Sequence, residues 1–143
     1  MPEDMESKFR RIVNEAWNNR NLDALDELHT ADFILHQPPF PDIHGLEAFK
    51  QHVAGVHIAY PDFYIRLLEF IDAGDRIATR WEWTGTHLGQ TPIMALPPTG
   101  RHLTVVGGQV IHLRGELLAE CWQYGDYLGA LQQEGLIPKA APA

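Results

Sequence analysis

Cysteine, positive charge and long apolar runs are all scarce in this sequence. Cys121 is the single cysteine among 143 residues, so the chain can form neither an internal disulfide nor a thiolate zinc cluster. The 19 Asp and Glu residues outnumber the 11 Lys and Arg residues, and the resulting net charge of −8 argues against binding to nucleic acids or anionic membranes. No apolar run resembles a signal peptide or approaches the roughly 18 residues of a membrane span. We therefore expect a cytoplasmic protein with neither kind of partner.

Motifs for metals and nucleotides are also missing. The sequence has 8 histidines but no His-Glu-x-x-His motif, and His52 and His57 are five residues apart, off a shared helix face. Gly85, Gly89 and the pair Gly107-Gly108 form no phosphate-binding pattern. The sequence therefore predicts no metal site and no nucleotide cofactor.

Periodic apolar residues predict three helices in the first half of the chain. Hydrophobic residues make up 45% of the sequence, which predicts one packed domain spanning residues 1–143. Apolar residues recur at helical spacing from Met5 to Trp17 and from Leu46 to Val56, where Pro61 stops the pattern. Between them, Asn21 is a candidate N-cap for a short helix that ends near Leu28.

Strands dominate the second half. A short strand over Asp32–His36 is followed by four longer ones with a period of two, over 63–71, 75–86, 101–113 and 117–124. Gly107-Gly108 predicts a bulge or bend in the third long strand. Helices followed by long antiparallel strands predict an α+β fold, in which a curved antiparallel sheet wraps around three helices and leaves a conical pocket.

The last third of the chain has the composition of a cavity wall. Gln109, His112, Gln123 and Asp126 are set among Ile, Leu, Trp and Tyr residues, as expected where a small hydrophobic molecule binds.

Short segments in a fixed order carry a family resemblance over nearly the whole chain, from Phe9 to Gln133. They are Asn21–Leu28, Ala31–Phe33, His44–Phe49, Tyr60–Asp62, Gly74–Trp81, Gly85–Gly89, Leu96–Arg101, Glu120–Trp122 and Asp126–Gln133. Their order and spacing resemble the SnoaL-like polyketide cyclases of the NTF2-like superfamily. The resemblance implies a cone-shaped α+β barrel that forms homodimers or homotetramers, and a cofactor-free intramolecular aldol condensation.

The resemblance also implies three catalytic positions. An aspartate that removes an α-proton falls on Gln123, and a glutamine that polarises the enolate oxygen falls on Gln109. A histidine beside that glutamine falls on Ile111, and the neighbouring His112 should face the opposite side of the sheet. Because an amide cannot take a proton, the base must lie elsewhere if the chain is catalytic.

Two residues are candidates for the missing base. His36 closes the first strand and has the pKa range for proton transfer near neutrality, although such a residue is also typical of a protein surface. Asp126 is the nearest carboxylate to Gln123, but its position before Tyr127 equally predicts the N-cap of the last helix. We predict His36, Asp126 and Gln123 as catalytic candidates.

Four further residues are predicted to contact a substrate: Gln109, Trp83, His87 and Trp122. The tryptophans can stack on a flat ligand or simply pack in the core. His87 lies in the turn Gly85–Gly89 and can serve turn geometry as well as a pocket.

Two functions remain open at this point. One is a cofactor-free cyclase or isomerase that transfers protons on a small hydrophobic carbonyl compound. The other is a non-catalytic protein of the same fold that binds a small ligand or acts as a scaffold.

Overall fold

Six strands form one open, curved sheet in the computed structural model, which describes residues 3–92 and 94–139. The strands are β1 (His29–His36), β2 (Ile43–His44), β3 (Tyr64–Asp72), β4 (Arg76–Thr86), β5 (His102–Arg114) and β6 (Leu117–Gly125). Their order across the sheet is β2-β1-β6-β5-β4-β3. Every neighbouring pair is antiparallel except β1 and β6, which run parallel. The predicted curved antiparallel sheet wrapped around helices is confirmed, with β1 and β6 as one parallel pair within it, and the sheet does not close into a barrel.

The helices lie mainly in the first half of the chain, as predicted. They are α1 (Met5–Val13), which continues as a π-helical turn over Asn14–Asn18, α2 (Leu46–Ala59) and the C-terminal α3 (Tyr127–Gln133). Asp4 caps α1 by accepting a hydrogen bond of 2.7 Å from the backbone N–H of Ser7. No helix among the described residues is long and apolar enough to cross a membrane.

The segment after α1 differs from its prediction. Leu22–Glu27 forms a 3₁₀-helix, and the side chain of Asn21 makes no capping hydrogen bond. Ala24 and Leu25 of this 3₁₀-helix are buried, and the side-chain amide of Asn21 instead donates to the carboxylate of Glu15 at 3.3 Å.

The core forms where the helices pack on the concave face of the sheet. One cluster joins α1 and α2 to β1 through residues such as Phe9, Phe33 and Phe49. A second cluster joins the end of α2 to β4 and β5 around Tyr60 and Trp81. The hydrophobic effect stabilises both clusters, and the space between the helices and the sheet is not filled.

Gly107 and Gly108 do not form a bulge, one of the two alternatives, bulge or bend, predicted for them. They pair in continuous register with Trp81 and Arg80 of β4, and the shifts of register occur elsewhere, at His29/Ile34, Leu67/Glu69 and His112/Leu113. A Cβ atom at position 107 would lie 2.5 Å from the indole ring of Trp81 and 2.6 Å from the carbonyl oxygen of Tyr124. Gly107 is therefore needed because the indole ring lies against the backbone there.

We expect Gly107→Ala to lower the free energy of unfolding by about 1–3 kcal/mol, because the added methyl group overlaps a buried ring and a backbone oxygen. Urea denaturation measures this change. Gly55→Ala is the matched control, because its Cβ would meet Thr91 and Met94 at ordinary contact distances of 3.6 and 3.8 Å inside α2. That control should keep or raise stability. Equal losses in both variants would contradict the steric account.

Candidate functional site

A cavity of about 810 Å³ lies between the helices and the concave face of the sheet. Its wall is mostly apolar and includes Trp17, Trp81 and Trp83. Among the described residues that line it, none is a lysine or an arginine. The cavity has the size and character of a site for a small, uncharged, hydrophobic molecule.

The two glutamines predicted on β5 and β6 both line this cavity. Gln109 and Gln123 lie directly opposite each other in the β5–β6 register. The thiol of Cys121 lies 3.3 Å from Oε1 of Gln109, and the amide nitrogen of Gln123 lies 3.5 Å from the hydroxyl oxygen of Tyr127. The first contact uses the acceptor of Gln109 and leaves its amide N–H groups for a ligand.

The histidine position implied by the resemblance is filled by a hydrocarbon side chain. Ile111 is buried and lines the cavity. His112 faces the other side of the sheet, where its ring packs against Trp122 with 4.6 Å between the ring centroids.

His36 lies on the outer face of the sheet rather than in the cavity wall. Its Nε2 is 2.6 Å from a carboxylate oxygen of Glu120 and its Nδ1 is 3.1 Å from Asp42, while the ring stacks on Trp122. These two carboxylates raise the pKa of His36. Neither His36 nor Trp122 belongs to the described lining of the cavity, so this geometry gives neither side chain access to a ligand there.

Asp126 is the N-cap of α3. Its carboxylate accepts a hydrogen bond of 2.8 Å from the backbone N–H of Gly129. Of the two roles that the sequence left open for Asp126, the structure shows the cap.

A buried histidine–glutamate pair lies in another part of the cavity wall. His87 and Glu134 are 2% and 4% exposed, and both line the cavity. Nδ1 of His87 lies 2.9 Å and 3.0 Å from the two carboxylate oxygens of Glu134. The hydroxyl of Thr99 donates to the same carboxylate, and the ring of Tyr60 stacks on His87. This is the one titratable pair, among the described residues, that lies buried in the wall of the cavity.

Backbone contacts hold both members of the pair in place. The N–H of His87 donates to Arg101, and its carbonyl accepts from Gly100. Directly before Glu134, the side-chain amide of Gln133 accepts from the backbone N–H of Thr104 at 2.7 Å and donates to its carbonyl at 2.9 Å. The amide of Gln133 thus ties the end of α3 to β5 and positions the carboxylate.

The contacts of the pair determine which nitrogen of His87 is basic. A carboxylate at Glu134 accepts a hydrogen bond from Nδ1 of His87 when that nitrogen is protonated. In the neutral imidazole with this tautomer, Nε2 has the free lone pair. Burial and the charge of Glu134 raise the pKa of Tyr60 to about 12, so its hydroxyl stays protonated and can donate a hydrogen bond.

The amides and the His87–Glu134 pair lie far apart along the cavity. Gln109 pairs with Thr79 on β4, and His87 follows eight residues after Thr79. At a rise of roughly 3.3 Å per residue, that is about 26 Å of chain along a curved strand. One small ligand atom cannot touch both groups.

Sequence reasoning missed Glu134 and assigned His87 to turn geometry and to substrate contact, not to proton transfer. The two residues are 47 positions apart, and Glu134 follows directly after the last segment that carries the resemblance. The available signal was the apolar character of Ala130 and Leu131 one turn earlier, which places Glu134 near the inward side of the last helix.

Comparison with known proteins identifies the family. The family model for SnoaL-like polyketide cyclase matches residues 7–134. The chain belongs to this SnoaL-like family. No curated protein matches the chain.

Solved structures share the SnoaL-like fold. TsrD from Streptomyces laurentii has 19% identity and a TM-score of 0.83, with 96% of this chain and 99% of that chain covered. A candidate polyketide cyclase from Acidithiobacillus ferrooxidans has 26% identity and a TM-score of 0.78, with 94% and 96% covered. IdmH from Streptomyces antibioticus, also named as a candidate polyketide cyclase, has 25% identity and a TM-score of 0.76, with 93% and 99% covered.

The SnoaL-like cavity of this chain also contains two histidines that burial keeps neutral. Burial lowers the pKa of both His29 and His52 to about 4. Because these pKa values lie below the usual 6.5, the unfolded chain binds more protons than the folded chain between pH 4 and 6.5.

We therefore expect stability to be fully present above pH 6.5 and to fall as the pH drops towards 4, by about 1.4 kcal/mol per pH unit for each histidine. Urea unfolding at pH 7 and pH 5 measures this dependence. His52→Phe should reduce the slope, because it removes one of the two titrating groups. An unchanged slope in that variant would show that His52 is not kept neutral by the fold.

His36 should act in the opposite direction. Its pKa is raised in the folded chain, so its stabilising contribution is present below pH 6.5 and is lost as the pH rises through the raised value. The stability difference between the wild type and His36→Gln should therefore be larger at pH 6 than at pH 9, as measured by urea unfolding. A difference that grows with pH would contradict the ion pairs with Asp42 and Glu120.

Proposed function

We propose that this chain catalyses a cofactor-free proton transfer next to the carbonyl group of an uncharged hydrophobic compound, as an aldol cyclase or isomerase. The observation that carries this proposal is the His87–Glu134 pair, buried in the wall of a largely apolar cavity. A carboxylate that orients a neutral imidazole is a recurrent arrangement for general base catalysis.

The proposed step balances without a further reactant. Nε2 of His87 takes a proton from the carbon beside a carbonyl, so the C–H bond breaks and its electron pair moves onto the carbonyl oxygen. The hydroxyl of Tyr60, whose ring centroid lies 5.0 Å from that of His87, would donate a hydrogen bond to this oxygen. In an aldol cyclisation the enolate carbon then attacks a second carbonyl of the same molecule, and His87 returns the proton to the new alkoxide.

Glu134 would support this step by charge and by orientation. Its carboxylate stabilises the imidazolium that forms when His87 takes the proton, and it fixes the tautomer that leaves Nε2 free. The hydroxyl of Thr99 donates to this carboxylate, and the amide of Gln133 ties the end of α3, which carries Glu134, to the backbone of Thr104.

Gln109 and Gln123 receive a binding role in this proposal. Both line the cavity far from His87, and neither can exchange a proton. Their amides suit a second carbonyl or hydroxyl group at the far end of an extended substrate. Family membership supports a substrate of this kind, because polyketides carry carbonyl groups at intervals along one carbon skeleton.

One observation favours a second function. Gln123 occupies the position of the catalytic aspartate that the family resemblance implies. Its amide can bind a ligand but cannot act as a base, as expected for a protein that only binds. A test of proton transfer separates the two functions, because a pure binding protein takes up the compound without exchanging its protons.

The test uses 2-tetralone, an uncharged bicyclic ketone with acidic protons beside its carbonyl. In D₂O we expect the wild type to accelerate exchange of these protons above the buffer rate, as followed by NMR. His87→Gln and Glu134→Gln should each slow the enzymatic exchange at least about 100-fold, the lower range for loss of a general base.

His36→Gln and Glu120→Gln form the matched control. They remove the same two residue types from an ion pair of similar length on the outer face of the sheet. Exchange should survive in both. Equal exchange in all four variants would reject His87 as the base, and binding of 2-tetralone without exchange by the wild type would favour the second function.

A further inference from the structure

His52 differs from His29 and His87, two other histidines of the cavity wall, because its shielded Nδ1 has no hydrogen-bond partner among the described residues. It lies within α2, and its ring lines the cavity and stacks on Phe49. By contrast, Nδ1 of His29 is 3.0 Å from the carbonyl oxygen of Leu25, and Nδ1 of His87 contacts Glu134. Within residues 3–92 and 94–139, Nδ1 of His52 is shielded and makes no hydrogen bond.

The shielded Nδ1 determines which nitrogen of the His52 ring a ligand can contact. A neutral imidazole has one N–H group and one lone pair, and a buried N–H without a partner is rarer in proteins than an under-used acceptor. The shielded Nδ1 therefore carries the lone pair, and the N–H group lies on Nε2. Because the ring lines the cavity, Nε2 is the nitrogen that a ligand can reach.

An unpartnered polar ring in an apolar wall is costly for the empty protein. A buried polar group without a hydrogen bond typically costs about 1–3 kcal/mol, and an apolar ring of similar shape would avoid that cost. The position on α2 could be filled by phenylalanine, which would stack on Phe49 equally well. That cost falls on the shielded Nδ1 with or without a ligand, so a histidine has an advantage over phenylalanine there only through the hydrogen bond that its Nε2–H can donate into the cavity.

We propose that His52 is a specificity-determining residue, whose Nε2–H donates a hydrogen bond to a carbonyl oxygen of the bound ligand. The proposal deepens the proposed function, because it concerns the same cavity and an uncharged carbonyl compound. It concerns binding alone, however, and requires no turnover. It also separates recognition, by α2, from proton transfer, by the loop after β4 and the end of α3.

The experiment compares two planar tricyclic probes, 9-fluorenone and fluorene, which differ in one carbonyl oxygen. Both are uncharged and small enough for a cavity of about 810 Å³. Trp17, Trp81 and Trp83 line the cavity, so quenching of tryptophan fluorescence measures binding. We expect the wild type to bind 9-fluorenone more tightly than fluorene. His52→Phe should weaken 9-fluorenone binding about five- to tenfold and leave fluorene binding unchanged.

Two further variants separate this role from packing. His52→Gln restores an N–H donor at the same position and should recover part of the preference for 9-fluorenone. His57→Phe alters another histidine of α2, whose Nε2 is 2.7 Å from the carbonyl oxygen of Trp17 and which is not among the described lining residues. That variant should lower the melting temperature and keep the preference. His52→Phe should instead raise the melting temperature of the empty protein, because it removes an unpartnered polar group.

Each contrary outcome overturns the proposal. If the wild type binds both probes equally, no residue of the cavity recognises the carbonyl oxygen. If His52→Phe weakens both probes equally, the ring serves packing alone. If it lowers the melting temperature of the empty protein, the ring has a partner within the fold. Failure of isotope exchange in 2-tetralone leaves these results intact, because they measure binding without chemistry.

Discussion

The contact between the indole ring of Trp81 and the backbone of Gly107 is the constraint on which the cavity depends. Trp81 is buried, belongs to the second core cluster and lines the cavity, so it is at once part of the core and part of the wall. Its ring lies where a side chain at position 107 would otherwise stand. The ring packs directly on the backbone of β5, where position 107 has no side chain. The space above the sheet therefore stays open for a ligand.

Much of the fold follows from local patterns in the sequence. Apolar spacing predicted α1 and α2, and the period of two predicted β3 to β6 within a residue or two of their observed bounds. The parallel pairing of β1 and β6 could not be predicted this way, because the two strands lie about 90 positions apart and no hairpin turn connects them. The role of Gly107 was also hidden, since a glycine in a strand indicates either a bulge or a close neighbour, and only the partner strand tells which.

The candidate site was predicted less well, and alternation explains part of the difference. Phe33 and Leu35 face the core, so His36 must face outwards, and Trp122 likewise lies between the inward Cys121 and Gln123. The alternation of inward and outward residues along a strand would have excluded His36 and Trp122 from the predicted cavity wall. The pairing of His87 with Glu134 is different, because it forms between a loop and the end of a helix. The loop position of His87 has no periodic pattern, and the signal for Glu134 was limited to the apolar residues Ala130 and Leu131 one helical turn earlier.

The candidate site is assembled late, because it depends on the pairing of β6 with β1 and on the contacts of the Gln133 amide. During synthesis β4 and the loop with His87 emerge well before β6, which completes the sheet, and before α3, which brings the carboxylate. A nascent chain therefore exposes an apolar trough with a lone imidazole at its edge. The wall of the cavity is complete only when the last helix docks, so the candidate site forms together with the rest of the fold.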